Sequence, residues 1–243
     1  INMKIEKIKS KLPLTEYAPY WNLSIGRDVW IDFDKVDKIR NWLISNEDRI
    51  KALEVNHDAG TGLGNDSVTS RFGQYNLFDF SDELPELKDL LKFIRVSYLE
   101  FIVQDRTDIF ELEIVCWFNF LREGETVEEH IHGAAHDSYL SGNIHLDDYE
   151  TQTYYRCPQE PNLVFNSSNI KGGMTIFPSH MPHGATTHNE TKPRISIAFD
   201  LRVMPDDNRL DYCSRPFMNP EIYSELVDEF KSQTYQELKE TNN

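Results

Sequence analysis

The sequence predicts a mainly β protein with flanking helices, an α+β arrangement within one domain. Short runs rich in β-branched and aromatic residues recur between turns from residue 111 to residue 203. Upstream of them, apolar residues follow the three-or-four spacing of amphipathic helices, and another helical pattern follows residue 216. Several short strands at this spacing are typical of an antiparallel sandwich or barrel.

The chain of 243 residues is long enough for one sizeable core and does not require two domains. We expect one domain, 1–243, with helical N-terminal support over 1–110, a β core over 111–203 and a C-terminal extension with a helix over 204–243. The predicted strands are Glu111–Phe120, Tyr139–Leu146, Thr153–Arg156, Leu163–Phe165, Met174–Phe177 and Arg194–Val203.

Each helical pattern has a recognisable start. The first begins near Asp34, and the second covers Pro85–Val103 with its proline in the first turn, where the missing N–H is tolerated. In the third pattern Asn219 is placed to cap the helix and Pro220 occupies its first position. The first two helices are most simply scaffolding against a sheet.

Composition narrows the class of partner. The formal net charge is −16, which argues against nucleic acid because phosphate would be repelled. The three cysteines are widely spaced and form no CxxC pair, which suits free thiols in a reducing cytoplasm. No apolar run has the length of a membrane span. We therefore expect a cytoplasmic protein with no membrane or nucleic-acid partner.

The glycine-rich segment Gly60–Gly64 resembles a phosphate loop only superficially. It lacks both the Lys-Ser/Thr ending and a preceding strand. We interpret it as a flexible loop, because clustered glycines mark turns.

Histidines cluster between Gly124 and Gly142. Residues two apart on a strand point to the same side, so His130 and His132 can direct their imidazoles at one point. Imidazole is a common ligand of iron, zinc, copper and nickel. About fifty residues later His183 can supply an opposing ligand, with His180 as a competing candidate. This pattern predicts a metal site.

Arg194 and Ser196 follow His183 and open a predicted strand on one face. An arginine fork beside a hydroxyl is well suited to binding a carboxylate. The pair therefore predicts an anion site next to the metal site.

Together these motifs resemble those of the 2-oxoglutarate and Fe(II)-dependent oxygenases, and more narrowly a small group of bacterial and phage members. The resemblance covers roughly residues 115–203. The matching pieces are Trp117-Phe-Asn119, Gly124, His130-Ile-His132, Ser141-Gly142, Phe177-Pro178-Ser179, His183 and Arg194-Ile-Ser196.

The resemblance implies a double-stranded β-helix, the jelly-roll barrel shared with cupins, with Fe(II) and 2-oxoglutarate as cofactors. It implies that His130 and His183 bind the metal, and that Arg194 and Ser196 hold the distal carboxylate of 2-oxoglutarate. Tyr139 and Asn143, on the strand after the first motif, are further candidates for cosubstrate contact.

The third metal ligand departs from the broader superfamily. The usual facial triad has two histidines and one carboxylate, and here the position two residues after the first histidine is His132. Either His132 binds the metal, or Asp137 does, or His132 lies behind the ligands. The stretch from Gly124 to Asp137 also resembles the cupin signature, so the sequence leaves this choice open.

The resulting functional hypothesis is an oxygenase that hydroxylates a C–H bond of a small molecule or a protein residue and releases succinate and CO2. No catalytic residue beyond the metal ligands is expected. The alternatives are a three-histidine cupin dioxygenase that does not use 2-oxoglutarate, and a non-catalytic barrel that binds a small acid or a protein.

Overall fold

The computed structural model describes residues 3–55, 58, 60–105, 111–204 and 213–229. Within this part of the chain there are two long helices, α1 (Phe33–Lys51) and α2 (Glu86–Asp105), and a shorter helix α3 over 220–229. Two 3-10 helices, Val68–Arg71 and Leu77–Phe80, separate α1 from α2. The strands are β1 (Lys4–Lys9), β2 (Asn22–Val29), β3 (Leu112–Leu121), β4 (Val127–His130), β5 (Ser138–His145), β6 (Tyr149–Cys157), β7 (Glu160–Asn169), β8 (Gly173–Pro178), β9 (His183–Ala185), β10 (Arg194–Val203) and β11 (Arg215–Met218).

The described strands form two antiparallel sheets. The larger has the order β1-β2-β8-β5-β10-β3-β11, and the smaller has the order β4-β9-β6-β7. From β3 to β10 the chain passes repeatedly from one sheet to the other, which is how a jelly roll is wound. The predicted mainly β class with a double-stranded β-helix core is confirmed.

The two faces of β10 explain how the barrel is filled. Its alternate residues Ile195, Ile197 and Phe199 are buried in the large apolar cluster that includes α1 and α2. Arg194 and Asp200, on the other face, line a cavity. Because successive strand side chains point to opposite faces, the larger sheet packs against the helices and keeps its polar face toward the barrel interior.

The helices begin as their sequences predict. Asp32 caps α1 by accepting a hydrogen bond from the backbone N–H of Lys35 at 3.4 Å. Asn219 caps α3, since its side chain accepts from the backbone N–H of Ile222 at 2.8 Å. No described helix is both long and apolar enough to cross a membrane.

The N-terminal part contributes strands as well as helices. β1 and β2 extend the larger sheet, with β2 pairing with β8. The expected helical support over 1–110 is therefore incomplete, because these residues also lengthen the barrel wall. The single-domain division stays a prediction, and in the C-terminal extension residues 205–212 and 230–243 lie outside the described part.

Candidate metal and cosubstrate site

Three histidines meet at one end of the barrel. His130, the last residue of β4, pairs in register with His183, the first residue of β9. His132 follows β4 and is tied in place because its backbone N–H donates to the carbonyl of Ser179 at 3.0 Å. The nitrogen ligand atoms of the three rings lie within 4.8 Å of one another. The sheet pairing therefore joins two motifs that are about fifty residues apart in the sequence.

Each of the three rings has one nitrogen already engaged. Nδ1 of His130 lies 2.8 Å from the carbonyl oxygen of Glu128, and Nδ1 of His183 lies 3.1 Å from that of Met181. Nδ1 of His132 lies 2.6 Å from Oδ1 of Asp200. A carbonyl oxygen can only accept a hydrogen bond, so Nδ1 of His130 and Nδ1 of His183 are the donors. An ionised Asp200 likewise can only accept, so Nδ1 of His132 is the donor to it. Nε2 then keeps its lone pair, which is the form of histidine that binds a metal.

The environment also holds two of these rings neutral. Burial, reinforced by the neighbouring His132, lowers the pKa of His130 to about 4. Burial lowers the pKa of His183 well below its ordinary value, and the two other histidines act in the same direction. Both rings are therefore unprotonated at neutral pH and able to accept a cation.

Asp200 lies directly behind His132 and is buried. Burial alone would raise its pKa, but the charge and hydrogen bond of His132 and a hydrogen bond from Ser141 outweigh this and lower the pKa. Among the described residues that line the cavity, Asp200 is the one carboxylate. The metal end of the site thus contains one negative charge, and the imidazole ring of His132 separates it from the position of the metal.

Arg194 occupies the interior at the start of β10 and is 4% exposed. Its Nη2 donates to Oγ1 of Thr153 at 3.1 Å, and that hydroxyl donates in turn to Oδ1 of Asn169 at 2.9 Å. Nε of Arg194 has no hydrogen-bond partner, and no carboxylate among the described residues lies within ion-pair distance. Burial lowers the pKa of Arg194 to about 10, so it is still charged at neutral pH.

Other unpaired polar atoms are buried close to Arg194. Neither ring nitrogen of His145 has a hydrogen-bond partner among the described residues, although this side chain is 1% exposed. His145 pairs in register with Ser196, and Arg194 contributes with burial to lowering its pKa. Oδ1 of Asn143 and Nδ2 of Asn169 are likewise buried and unpaired. Buried polar groups normally find partners, so this region is built to receive a polar ligand.

A cavity of about 490 Å³ connects the histidines with Arg194. A segment before α2 forms part of its wall, and Thr61 anchors this segment because its carbonyl accepts from the backbone N–H of Glu128 at 2.8 Å. The lining residues are Gly60, Thr61, Leu63, Thr69, Phe72, Trp117, Asn119, Val127, His130, Ile131, His132, Gly142, Asn143, Thr153, His183, Gly184, Ala185, Arg194, Ser196, Ala198 and Asp200.

The structure brings most of the predicted site residues to this cavity. The predicted residues that line it are His130, His132, His183, Arg194, Ser196 and Asn143. Asp137 is exposed and belongs neither to the cavity wall nor to the group of potential ligands, and His180 is likewise outside that group. Of the two candidates for the third ligand, the geometry therefore favours His132.

Tyr139 also lies apart from the cavity. Its ring packs edge-on against Tyr98 of α2, with 6.2 Å between the ring centroids. The pairing of β5 with β10 shifts here, since Leu140 faces Leu201 while Ser138 faces Arg202. This irregularity breaks the alternation of the strand, so Tyr139 and Leu140 both contact the helix-side core.

Some cavity residues were not expected from the sequence. The glycine-rich segment, interpreted as a flexible loop, contributes Gly60, Thr61 and Leu63 to the wall, and nothing in its sequence indicated this position. Asp200 could have been found, since the alternation that places Arg194 and Ser196 on one face also places Asp200 there.

Comparison with known families confirms the resemblance for the barrel core. Residues 115–200, which are 86 of the 243, match the family described as "Putative 2OG-Fe(II) oxygenase". The match contains all three histidines, Arg194 and Asp200. Comparison with curated proteins gave no significant match.

Solved structures show the same fold at low sequence identity. A prolyl-4-hydroxylase from Pseudomonas putida is 12% identical with a TM-score of 0.52, and the alignment covers 74% of this chain and 93% of that one. A non-heme alpha-ketoglutarate-dependent carbocyclase from nogalamycin biosynthesis is 11% identical with a TM-score of 0.53, covering 74% and 79%. A non-heme alpha-ketoglutarate-dependent epimerase, also from nogalamycin biosynthesis, is 12% identical with a TM-score of 0.51. Its alignment covers 81% of this chain and 89% of that one.

The family match and the three-histidine group imply Fe(II) and 2-oxoglutarate as cofactors, and the residues present fit both. Three imidazoles whose Nδ1 atoms are engaged elsewhere, and whose ligand nitrogens lie within 4.8 Å of one another, suit a divalent transition metal. The buried guanidinium of Arg194 has no carboxylate partner among the described residues and lies next to hydroxyl and amide groups, an arrangement that suits a carboxylate ligand. One cavity therefore provides a metal end and an anion end.

Proposed function

We propose that this chain, whose core over residues 115–200 is that of a 2OG-Fe(II) oxygenase, hydroxylates a C–H bond of an uncharged group on its substrate. In the proposed reaction 2-oxoglutarate and O2 are consumed, and succinate and CO2 are released with the hydroxylated product. When bound, iron and 2-oxoglutarate together supply the activation of O2. The residues of the chain hold these groups, orient the substrate and exclude water.

The observation that carries the proposal is the buried Arg194, whose charge no described carboxylate neutralises, in the cavity that contains His130, His132 and His183. A buried charge without a partner is unfavourable by several kcal/mol. A fold that keeps such a charge next to a metal-binding group gains from it only when an anion binds. A dicarboxylate that reaches both ends of the cavity satisfies this requirement.

Individual residues have definable parts in the proposed site. His130, His132 and His183 would hold the metal through Nε2. Arg194 would donate to the distal carboxylate of 2-oxoglutarate, with Thr153 fixing the guanidinium through its hydrogen bond. The hydroxyl of Ser196 and the unpaired groups of Asn143, Asn169 and His145 would complete the polar surroundings.

The rest of the cavity wall supports an uncharged substrate group. The side chains of Leu63, Phe72 and Ile131 contribute apolar surface next to the metal-binding histidines. Thr69 donates to Oδ1 of Asn119 at 2.8 Å, which leaves the amide N–H2 of Asn119 as a donor. Among the described lining residues Arg194 and Asp200 are the charged ones, and both have partners in the proposed cofactor site. The wall therefore suits an apolar group that offers one hydrogen-bond acceptor.

A three-histidine dioxygenase that does not use 2-oxoglutarate is the second candidate. The observation that favours it is the ligand group itself, since the described residues near the metal end offer three histidines and no directly placed carboxylate. This second candidate does not explain why a charged Arg194 is buried in the same cavity. The two candidates therefore differ in whether 2-oxoglutarate binds and whether Arg194 is needed for it.

Anaerobic titration with Fe(II) and then 2-oxoglutarate tests the proposal. We expect the weak visible charge-transfer band of the chelate in the wild type and its loss in Arg194→Met. The matched control is Arg49→Met, because Arg49 is an exposed helix residue paired with Glu83. Iron binding without a chelate band in the wild type would instead support the three-histidine dioxygenase.

Turnover is then measured as succinate formed from 2-oxoglutarate under air, with and without small neutral and charged candidate substrates. We expect neutral candidates to stimulate succinate formation more than charged ones of similar size. Equal stimulation by both sets would contradict the proposed substrate class while leaving the oxygenase proposal intact.

A further inference from the structure

The three histidines have different partners behind them. Nδ1 of His130 and Nδ1 of His183 face backbone carbonyls, at 2.8 Å and 3.1 Å. Nδ1 of His132 faces the carboxylate of Asp200 at 2.6 Å. A carbonyl orients an imidazole, whereas a carboxylate both orients it and increases its basicity. His132 is therefore chemically distinct from the other two.

The carboxylate of Asp200 is held firmly. Asp200 is 9% exposed and lies on the inward face of β10, where it pairs with Ser141 of β5. Oγ of Ser141 donates to Oδ1 of Asp200 at 2.7 Å and lies 2.9 Å from Oγ of Ser179. Ser179 in turn accepts, through its backbone carbonyl, from the N–H of His132. Asp200, Ser141, Ser179 and His132 thus form one closed set of contacts.

We propose that Asp200 is the positioning residue of the metal centre, and that through His132 it supplies the negative charge that a facial-triad carboxylate supplies by direct ligation. The proposal rests on the proposed function, because it requires that the three histidines bind a divalent metal. His132 occupies the sequence position where the two-histidine-one-carboxylate site has its acid. In this chain the carboxylate of Asp200 lies behind the His132 ring instead of occupying the ligand position itself.

Two consequences follow from this arrangement. Asp200 fixes the tautomer of His132, so that Nε2 is always available to the metal. It also offsets part of the charge of the bound dication in a cavity whose described lining has no other carboxylate. Outer partners of this kind typically change metal affinity 10- to 100-fold.

Titration with Co(II) in the absence of 2-oxoglutarate tests the metal affinity directly, through the visible bands of bound cobalt. We expect Asp200→Asn, which removes the charge but keeps an oxygen toward His132, to weaken Co(II) binding about 10-fold. Asp200→Ser, which also removes that oxygen contact, should weaken it further and serves as the second variant if Asn is not tolerated. Affinities of both variants within twofold of the wild type would overturn the proposal.

Two control variants separate the charge from its surroundings. Ser141→Ala removes a hydrogen bond to Asp200 but leaves the carboxylate against His132, and we expect less than about a threefold change in Co(II) affinity. Asp137→Asn removes an exposed carboxylate from the same part of the chain, and we expect no change. Loss of binding in Asp137→Asn alone would assign the acid to Asp137 and overturn the role of Asp200.

A spectroscopic readout distinguishes a role in tuning the metal from a purely structural role. Less negative charge behind His132 makes the iron less electron-rich, so the Fe(II)–2-oxoglutarate charge-transfer band of Asp200→Asn should move to shorter wavelength. If Asp200→Asn has an unshifted band and the Co(II) affinity of the wild type, Asp200 contributes to packing and not to the properties of the metal. A wild type that binds no Co(II), or that binds it no more tightly than His183→Ala does, would contradict the proposed function itself. A wild type that binds Co(II) through His183 but is matched by Asp200→Asn would contradict only the role of Asp200.

Discussion

Replacing Arg194 with methionine should stabilise the protein without its ligands and abolish the binding of 2-oxoglutarate. Arg194 is 4% exposed, and no described carboxylate compensates its charge. Burial lowers its pKa from the ordinary range of arginine to about 10. This shift corresponds to about 3 kcal/mol of unfavourable free energy for the charged form in the folded state. Methionine is unbranched and adaptable, so it can occupy the same space without the charge.

The sign of the effect follows from the direction of the shift. Below pH 10 Arg194 is charged in both folded and unfolded chains, so the full cost is present. As the pH rises through 10 the folded chain loses this proton before the unfolded chain does, and the cost decreases. At pH 7.5 the variant loses this cost together with one hydrogen bond to Thr153, worth about 1 kcal/mol. We expect a net stabilisation of roughly 2 kcal/mol.

Urea unfolding at pH 7.5, with and without Co(II) and 2-oxoglutarate, measures both effects. The wild type should gain stability from 2-oxoglutarate in proportion to its binding, whereas Arg194→Met should gain none. Arg49→Met, which loses only an exposed ion pair with Glu83, should not stabilise the protein. A ligand-free Arg194→Met protein that is clearly less stable than the wild type would refute the reasoning, because Arg194 would then be a structural residue.

Three other predictions concern single residues. The first concerns His130, whose pKa in the folded chain is about 4. As the pH falls from 6.5 to 4, this side chain takes up a proton in the unfolded chain but stays neutral in the folded chain. His130 alone should contribute about 3 kcal/mol to the stability that the metal-free protein loses in that window, and the buried His183 and His145 add to the loss in the same direction. His130→Leu should therefore lose about 3 kcal/mol less than the wild type in urea unfolding. Gly142→Ala should lower the unfolding free energy by about 3 kcal/mol, because its Cβ would lie 2.2 Å from Cζ of Phe199; an unchanged midpoint would contradict this. Thr153→Val should weaken 2-oxoglutarate binding about 10-fold by releasing the Arg194 guanidinium, with Co(II) affinity unchanged.

Local pattern was sufficient for much of the fold. The strand β10 was predicted over Arg194–Val203, and the structure has these same bounds. Alternation along that strand follows from backbone geometry alone, so the sequence was enough to place Arg194 and Ser196 on one face. The helix start at Asn219 followed from capping chemistry in the same way.

Residues whose direction depends on tertiary contacts were less predictable. Tyr139 was expected at the cosubstrate because it lies, with Asn143, on the strand that follows the first histidine motif. The register shift between β5 and β10 turns it toward Tyr98 instead. A shift of this kind depends on how two distant strands pair, which neither strand encodes by itself.

The sequence by itself determined the strand pattern, the metal-binding residue types and the arginine-serine pair, because each depends on residues a few positions apart. Only the tertiary structure decided that β4 and β9 pair so that His130 meets His183. It also placed Asp200 behind His132 and brought the Gly60–Gly64 segment to the cavity wall. These contacts join segments far apart in the chain, and their formation depends on the packing of both sheets together rather than on any local preference.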